Sequence, residues 1–76
     1  MTTTGYFRND VLTKRPYLSE SMCRTVIANA VRKVVQPDGR IRYWAFDVTL
    51  HKWLRVVTLN DGVTIHNAFP DRNFTP

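Results

Sequence analysis

From Val31 onward the chain changes its hydrophobic rhythm, and that change limits the fold more than any other feature. Up to Ala30 the apolar residues recur at helical spacing. Beyond it come four runs rich in β-branched and aromatic residues: VRKVVQ (31–36), RIRYWAFDVTL (40–50), WLRVVTL (53–59) and VTIHNAF (63–69). The breaks between them are short: Pro37-Asp38-Gly39, a turn near His51-Lys52, and Asn60-Asp61-Gly62. Strands joined this tightly return antiparallel, because a parallel crossover needs about a dozen residues or more. The expected sheet is a four-stranded antiparallel meander in the spatial order 1-2-3-4.

Two helices precede the strands. YFRNDVLTKR reads as a short one, with Phe7, Val11, Leu12 and Lys14 setting its faces, and Pro16 ends it by disfavouring helical geometry at Arg15. LSESMCRTVIANA is the clearer helix. Ser19 suits the N-cap, Glu20 the first turn, and Met22, Cys23, Val26, Ile27 and Ala30 share a face, with Asn29 near the C-terminal end. Packing both helices on one sheet face makes a single α+β domain over residues 6–74, with flexible tails at 1–5 and 75–76. The segment PDRNFTP begins and ends with proline and is expected to leave the sheet.

Charge narrows the partner. Eleven Lys and Arg stand against six Asp and Glu, and eight of the eleven are arginine. The guanidinium is a planar fork that grips phosphate through two hydrogen bonds, whereas an ammonium is a mobile point charge. A net charge of +5 in 76 residues therefore favours a polyanion such as nucleic acid, against simple solubility or an acidic protein partner. Several chemistries find no support. The single cysteine, Cys23, excludes an internal disulfide and sits at an apolar helix position, as a core residue does. His51 and His66 are far apart in sequence, the carboxylates are scattered, and neither a phosphate loop nor a serine elbow occurs, so no metal or other cofactor is expected. With no apolar run of membrane-spanning length and no hydrophobic signal core in MTTTGYFRND, a soluble cytoplasmic protein is expected.

The last hairpin, LRVVTLNDGVTIHNAFPDR, concentrates the remaining signal. A two-residue turn at Asp61-Gly62 pairs Asn60 with Val63. Val57 then falls opposite His66, Val56 opposite Asn67 and Arg55 opposite Ala68. Leu54, Val56, Thr58, Ile65 and Phe69 face the helices, while Trp53, Arg55, Val57, Leu59, Thr64 and His66 line the other face. On this register Arg55 and His66 are diagonal neighbours within reach of one ligand; a three-residue loop shifts the register and separates them. In the second strand Arg40 and Arg42 point one way and Ile41 and Tyr43 the other, with Arg42 and Trp44 candidates to extend the open face.

Basic residues interleaved with aromatics can hold phosphate and stack a base. The chemistry left to such a surface is metal-independent cleavage of RNA, in which the 2′-hydroxyl attacks the adjacent phosphate. The protein then supplies an acid–base group and cations for the developing charge. His66 is the acid–base candidate, with Arg55 and Arg42 completing the catalytic set. Arg40, Tyr43, Trp53 and Arg72 are the candidate nucleic-acid contacts. Asp71 is a weaker candidate, and Asn67, read as core-facing, suits a bond to backbone better than one to substrate.

Two helices ahead of an antiparallel meander, DGRIRYW, and LRVVTLNDGVTIHNAF on a basic chain together resemble the small RelE/BrnT-like toxins of the barnase–EndoU–colicin–RelE nuclease group. The resemblance runs from about Tyr6 to Phe74 and rests on element order and the hairpin. It implies a sheet face that binds RNA, on or off the ribosome, and cleaves it without metal through Arg55 and His66, assisted by Arg40 or Arg42. It also implies a cognate antitoxin as partner. The competing reading is a non-catalytic module that binds nucleic acid or protein on the same scaffold, a protein-directed toxin being one variant.

Overall fold

The computed structural model describes residues 2–76. A π-helical turn, Phe7–Val11, runs on into one α-helical turn, Leu12–Lys14 (together α1). Arg15 then leaves helical geometry ahead of Pro16, as the proline requires. The second helix, α2, spans Glu20–Ala28, and the Ser19 hydroxyl accepts the Met22 amide at 3.1 Å as an N-cap. Four strands follow: β1 Arg32–Val35, β2 Ile41–Asp47, β3 Lys52–Thr58 and β4 Ile65–Pro70. They pair antiparallel in the order β1-β2-β3-β4.

Both helices cover one face of the sheet. Ile41, Tyr43 and Ala45 of β2, Leu54 and Val56 of β3, and Ile65 and Ala68 of β4 form the core with Phe7, Val11, Leu18, Cys23 and Val26. β1 lies beyond this cover and is exposed along its whole length. The burial of Cys23 pushes its thiol pKa up to about 12, which removes it as a nucleophile. No helix among the described residues is long and apolar enough to cross a membrane.

The hairpin departs from its expected register at one point. The β3–β4 loop is not a two-residue turn. Gly62, at φ +70°, closes a turn by donating to the Leu59 carbonyl, and Leu59 N–H bonds to the Thr64 carbonyl at 2.9 Å. Asp61 Oδ1 accepts the amides of both Val63 and Thr64 at 2.8 Å, an arrangement that favours the longer loop. Thr58 still pairs with Ile65, as the expected register requires, but a bulge follows and Val57 pairs with Asn67. His66 is the extra residue. Everything beyond it is reversed in facing, because the side-chain period of a strand is two. Arg55 therefore opposes Phe69 rather than Ala68, and Phe69 lies on the open face instead of against the helices. Asn67 turns outward for the same reason, its Oδ1 taking the Ala68 amide at 2.9 Å.

Both chain ends are tied more closely than expected. Thr2 and Thr4 exchange backbone hydrogen bonds with Ile65, so the N-terminal segment lies parallel to β4. Arg24 of α2 donates to the Val63 and Thr2 carbonyls at 2.6 and 2.8 Å, joining helix, loop and N-terminal segment. At the other end Pro70 remains in the sheet opposite Leu54, on an edge strand that tolerates the missing donor. Asp71 then donates its amide to the Trp53 carbonyl at 2.9 Å.

Candidate functional site

The open face is built around Arg55. Cross-strand pairing places Trp44 on one side of it and Phe69 on the other, with the guanidinium carbon 5.5 Å and 4.6 Å from the two ring centroids. Asp71 Oδ2 completes the arrangement, accepting from Arg55 Nη2 at 3.0 Å and from the Trp44 indole at 3.0 Å. The indole hydrogen bond, together with Arg55, holds the Asp71 carboxyl below the usual carboxylate range against the opposing effect of burial. Only 24% of the Arg55 side chain is exposed, and its charge is already paired. Arg55 organises this face and is poorly placed to stabilise charge on a substrate.

His66 lies elsewhere. Its bulge turns it toward the N-terminal segment, where Nδ1 is 3.0 Å from the Thr4 hydroxyl and the ring is 5.0 Å from that of Tyr6. The same hydroxyl accepts the Phe7 amide at 3.1 Å and can still donate its own proton to the Nδ1 of a neutral ring. Burial, then the charge of Arg40, lowers the His66 pKa from its ordinary value. Phe69, the partner of Arg55, is three residues farther along β4, roughly 10 Å. The structure does not bring the expected pair of Arg55 and His66 together.

The other sequence candidates divide. Arg42 is on the open face opposite Val57, its Nε bound to Gln36 Oε1 at 2.9 Å. Arg40 is exposed at the β1–β2 turn beside Asp38. Tyr43 belongs to the core and offers no free ring for stacking. Trp53 and Arg72, by contrast, meet in a groove of about 520 Å³ at the end of the sheet where β2 turns into β3 and β4 runs out.

That groove holds what the hairpin register alone could not show. Arg15, Lys52 and Arg72 bring three cations to it from the α1–α2 connection, the start of β3 and the C-terminal segment. Tyr17, Phe46, Trp53 and Phe69 supply its aromatic walls. Arg15 lies 5.8 Å from the Phe69 ring, and Phe46 meets Trp53 and His51 edge-on at 5.5 and 5.3 Å. His51 is the one residue other than glycine with positive φ, +58°, among the described residues. This left-handed corner closes the β2–β3 turn, and His51 and Lys52 both line the groove. The sequence signal for His51 was limited to its turn position. Arg15 and Tyr17 flank a proline between helices, and nothing local marks them as neighbours of Trp53.

Among the described residues, no group of three or more His, Cys, Asp or Glu is arranged to hold a metal ion. Comparison with protein-family models, with curated proteins and with solved structures returned no match.

Proposed function

We propose that this protein is a small nucleic-acid-binding module that grips a single-stranded segment in the groove at the end of its sheet. One observation carries the reading: Arg15, Lys52 and Arg72 converge on a groove walled by Tyr17, Phe46 and Trp53. Cations spaced around aromatic rings suit a chain of phosphates alternating with planar bases. The Asp71 carboxylate does not oppose this, because Arg55 and the Trp44 indole occupy it. Fluorescence anisotropy of a labelled RNA oligonucleotide, followed through a salt titration, tests the proposal. Three phosphate contacts give a log–log slope of about −2 for a single strand, and Arg72→Ala is expected to flatten it by about 0.7. An oligonucleotide that stays unbound at low salt refutes it.

A second reading is favoured by His51, the histidine that shares the groove with the three cations. A metal-independent endoribonuclease of the RelE/BrnT-like kind would use this imidazole to take the proton of a 2′-hydroxyl. That oxygen attacks the neighbouring phosphorus, the P–O5′ bond breaks, and the 5′-oxygen leaves with a proton from solvent. Arg15, Lys52 and Arg72 replace Arg55 as the cations facing the phosphate. A cognate antitoxin and a cytoplasmic RNA substrate go with this reading. It requires EDTA-resistant cleavage that leaves 2′,3′-cyclic phosphate ends and is abolished by His51→Ala. Intact RNA after long incubation with the folded protein leaves binding alone.

A further inference from the structure

Phe74 occupies a ring-shaped site on the open face that adjoins the groove at Trp53. Its ring stacks on Trp44, with centroids 5.2 Å apart and planes 11° from parallel, and lies 5.0 Å from the Trp53 ring. The Arg32 guanidinium sits 5.0 Å from the Phe74 centroid. Two indoles and a cation thus surround one planar ring, and they are the only two tryptophans of the chain. Trp53 also walls the groove, so the two sites share a side chain. The segment that delivers Phe74 is lightly held. Beyond the Asp71 amide its backbone ties are Asn73 N–H to Asp71 Oδ1 at 3.1 Å and Phe74 N–H to the Asp71 carbonyl at 3.3 Å, both local.

We infer that the Trp44–Trp53–Arg32 cage is a second base-binding subsite, filled in the free protein by Phe74 as an internal substitute for a nucleobase. The inference rests on the groove reading, since a strand seated at Trp53 presents its neighbouring base to this cage. A base can replace the phenyl ring because both are flat and stack with comparable geometry on indole. The base brings an adjacent phosphate as well, and Arg32 and Arg42 stand on the same face to receive it. Phe74 brings no charge. Binding at the cage then requires the C-terminal strap to swing away, and the apparent affinity is lowered by the fraction of molecules in which it is closed.

The test compares wild-type protein with Phe74→Ala and Phe74→Leu, using a short fluorescein-labelled oligouridylate for affinity and tryptophan fluorescence quenching for occupancy of the cage. Phe74→Ala is expected to bind on the order of tenfold more tightly, with deeper quenching, because the internal competitor is gone. Phe74→Leu, which keeps apolar bulk but not a flat ring, is expected to fall between; it carries the test if the alanine variant does not fold. Unchanged or weakened binding by a folded variant, with wild type still bound, overturns the strap and leaves the groove reading intact. Failure of wild type and folded variants alike to bind overturns both.

Discussion

The two faces of this sheet are closed by different physics. On the helix-covered face, Leu54, Val56, Ile65 and Ala68 meet Phe7, Val11, Cys23 and Val26 with little or no exposure. On the open face, Arg55 is sandwiched by aromatic rings and fastened by Asp71, and a strap from the C-terminus covers part of what remains. The first arrangement depends on area removed from water and on close packing. The second depends on a few directional contacts, each of which a ligand or a proton can compete for. Basic and aromatic residues on a sheet are therefore no sign of a free binding surface until their partners are known.

The sharpest way to set the two faces apart is to damage each at its centre. Leu54 is fully buried on β3, and Leu54→Ala removes its methyl groups from the middle of the core. A loss of about 2–5 kcal/mol is expected in urea or thermal unfolding, close to the whole stability of a domain this small. Asp71→Ala is the matching lesion on the open face. It strands the Arg55 guanidinium and the Trp44 indole, both without their carboxylate, and is expected to cost about 1–3 kcal/mol. If Asp71→Ala costs as much as Leu54→Ala, the contrast between the faces fails.

Acid sharpens the same contrast. The Asp71 carboxyl is held below its ordinary value of 3.8 in the folded protein, so the unfolded chain takes up that proton first. Its contribution is complete above 3.8 and is lost as pH falls below that value. Unfolding midpoints measured through this range should drop in the wild type and drop less steeply in Asp71→Ala, where Asp61, also held low by its hydrogen bonds to Thr64 and Val63, still titrates. The smallest effect belongs to His66 at the sheet edge. Its folded pKa is likewise depressed, from 6.5, so its contribution is complete above 6.5 and declines as pH falls. His66→Gln is expected to remove a shallow acid-side decline in the unfolding midpoint. A midpoint that is flat across this range in the wild type contradicts the burial of a neutral imidazole there.

Much of the architecture could be read from short stretches of sequence. Ser19 capped its helix, Pro16 ended the preceding one, and the short turns put the strands in meander order. The open-face alternation was also correct along β3 and, through Arg42 and Trp44, along β2. Misreading began at His66, where one extra residue reversed the facing of Asn67 and Phe69 and removed the expected Arg55–His66 neighbourhood. No local pattern announces such a bulge, since Ile65-His66-Asn67-Ala68 alternates acceptably in either register. Tyr43 was misassigned for a different reason: its strand position was read correctly as opposite to Arg42, but its value as a stacking ring was judged without the helices that bury it.

Element order, the α+β class and a strongly basic character could therefore be read before any coordinates, because periodicity, caps and turn chemistry act over a few neighbouring residues and net charge depends on composition alone. Which of the cations are already engaged emerges only once the chain has folded. Arg55 is matched to a carboxylate sixteen residues away, Arg24 spans helix, loop and N-terminal segment, and Arg15, Lys52 and Arg72 converge only when three distant segments meet. A charge is engaged or available according to what lies within a few ångströms of it, and folding sets those distances between residues that no local pattern connects.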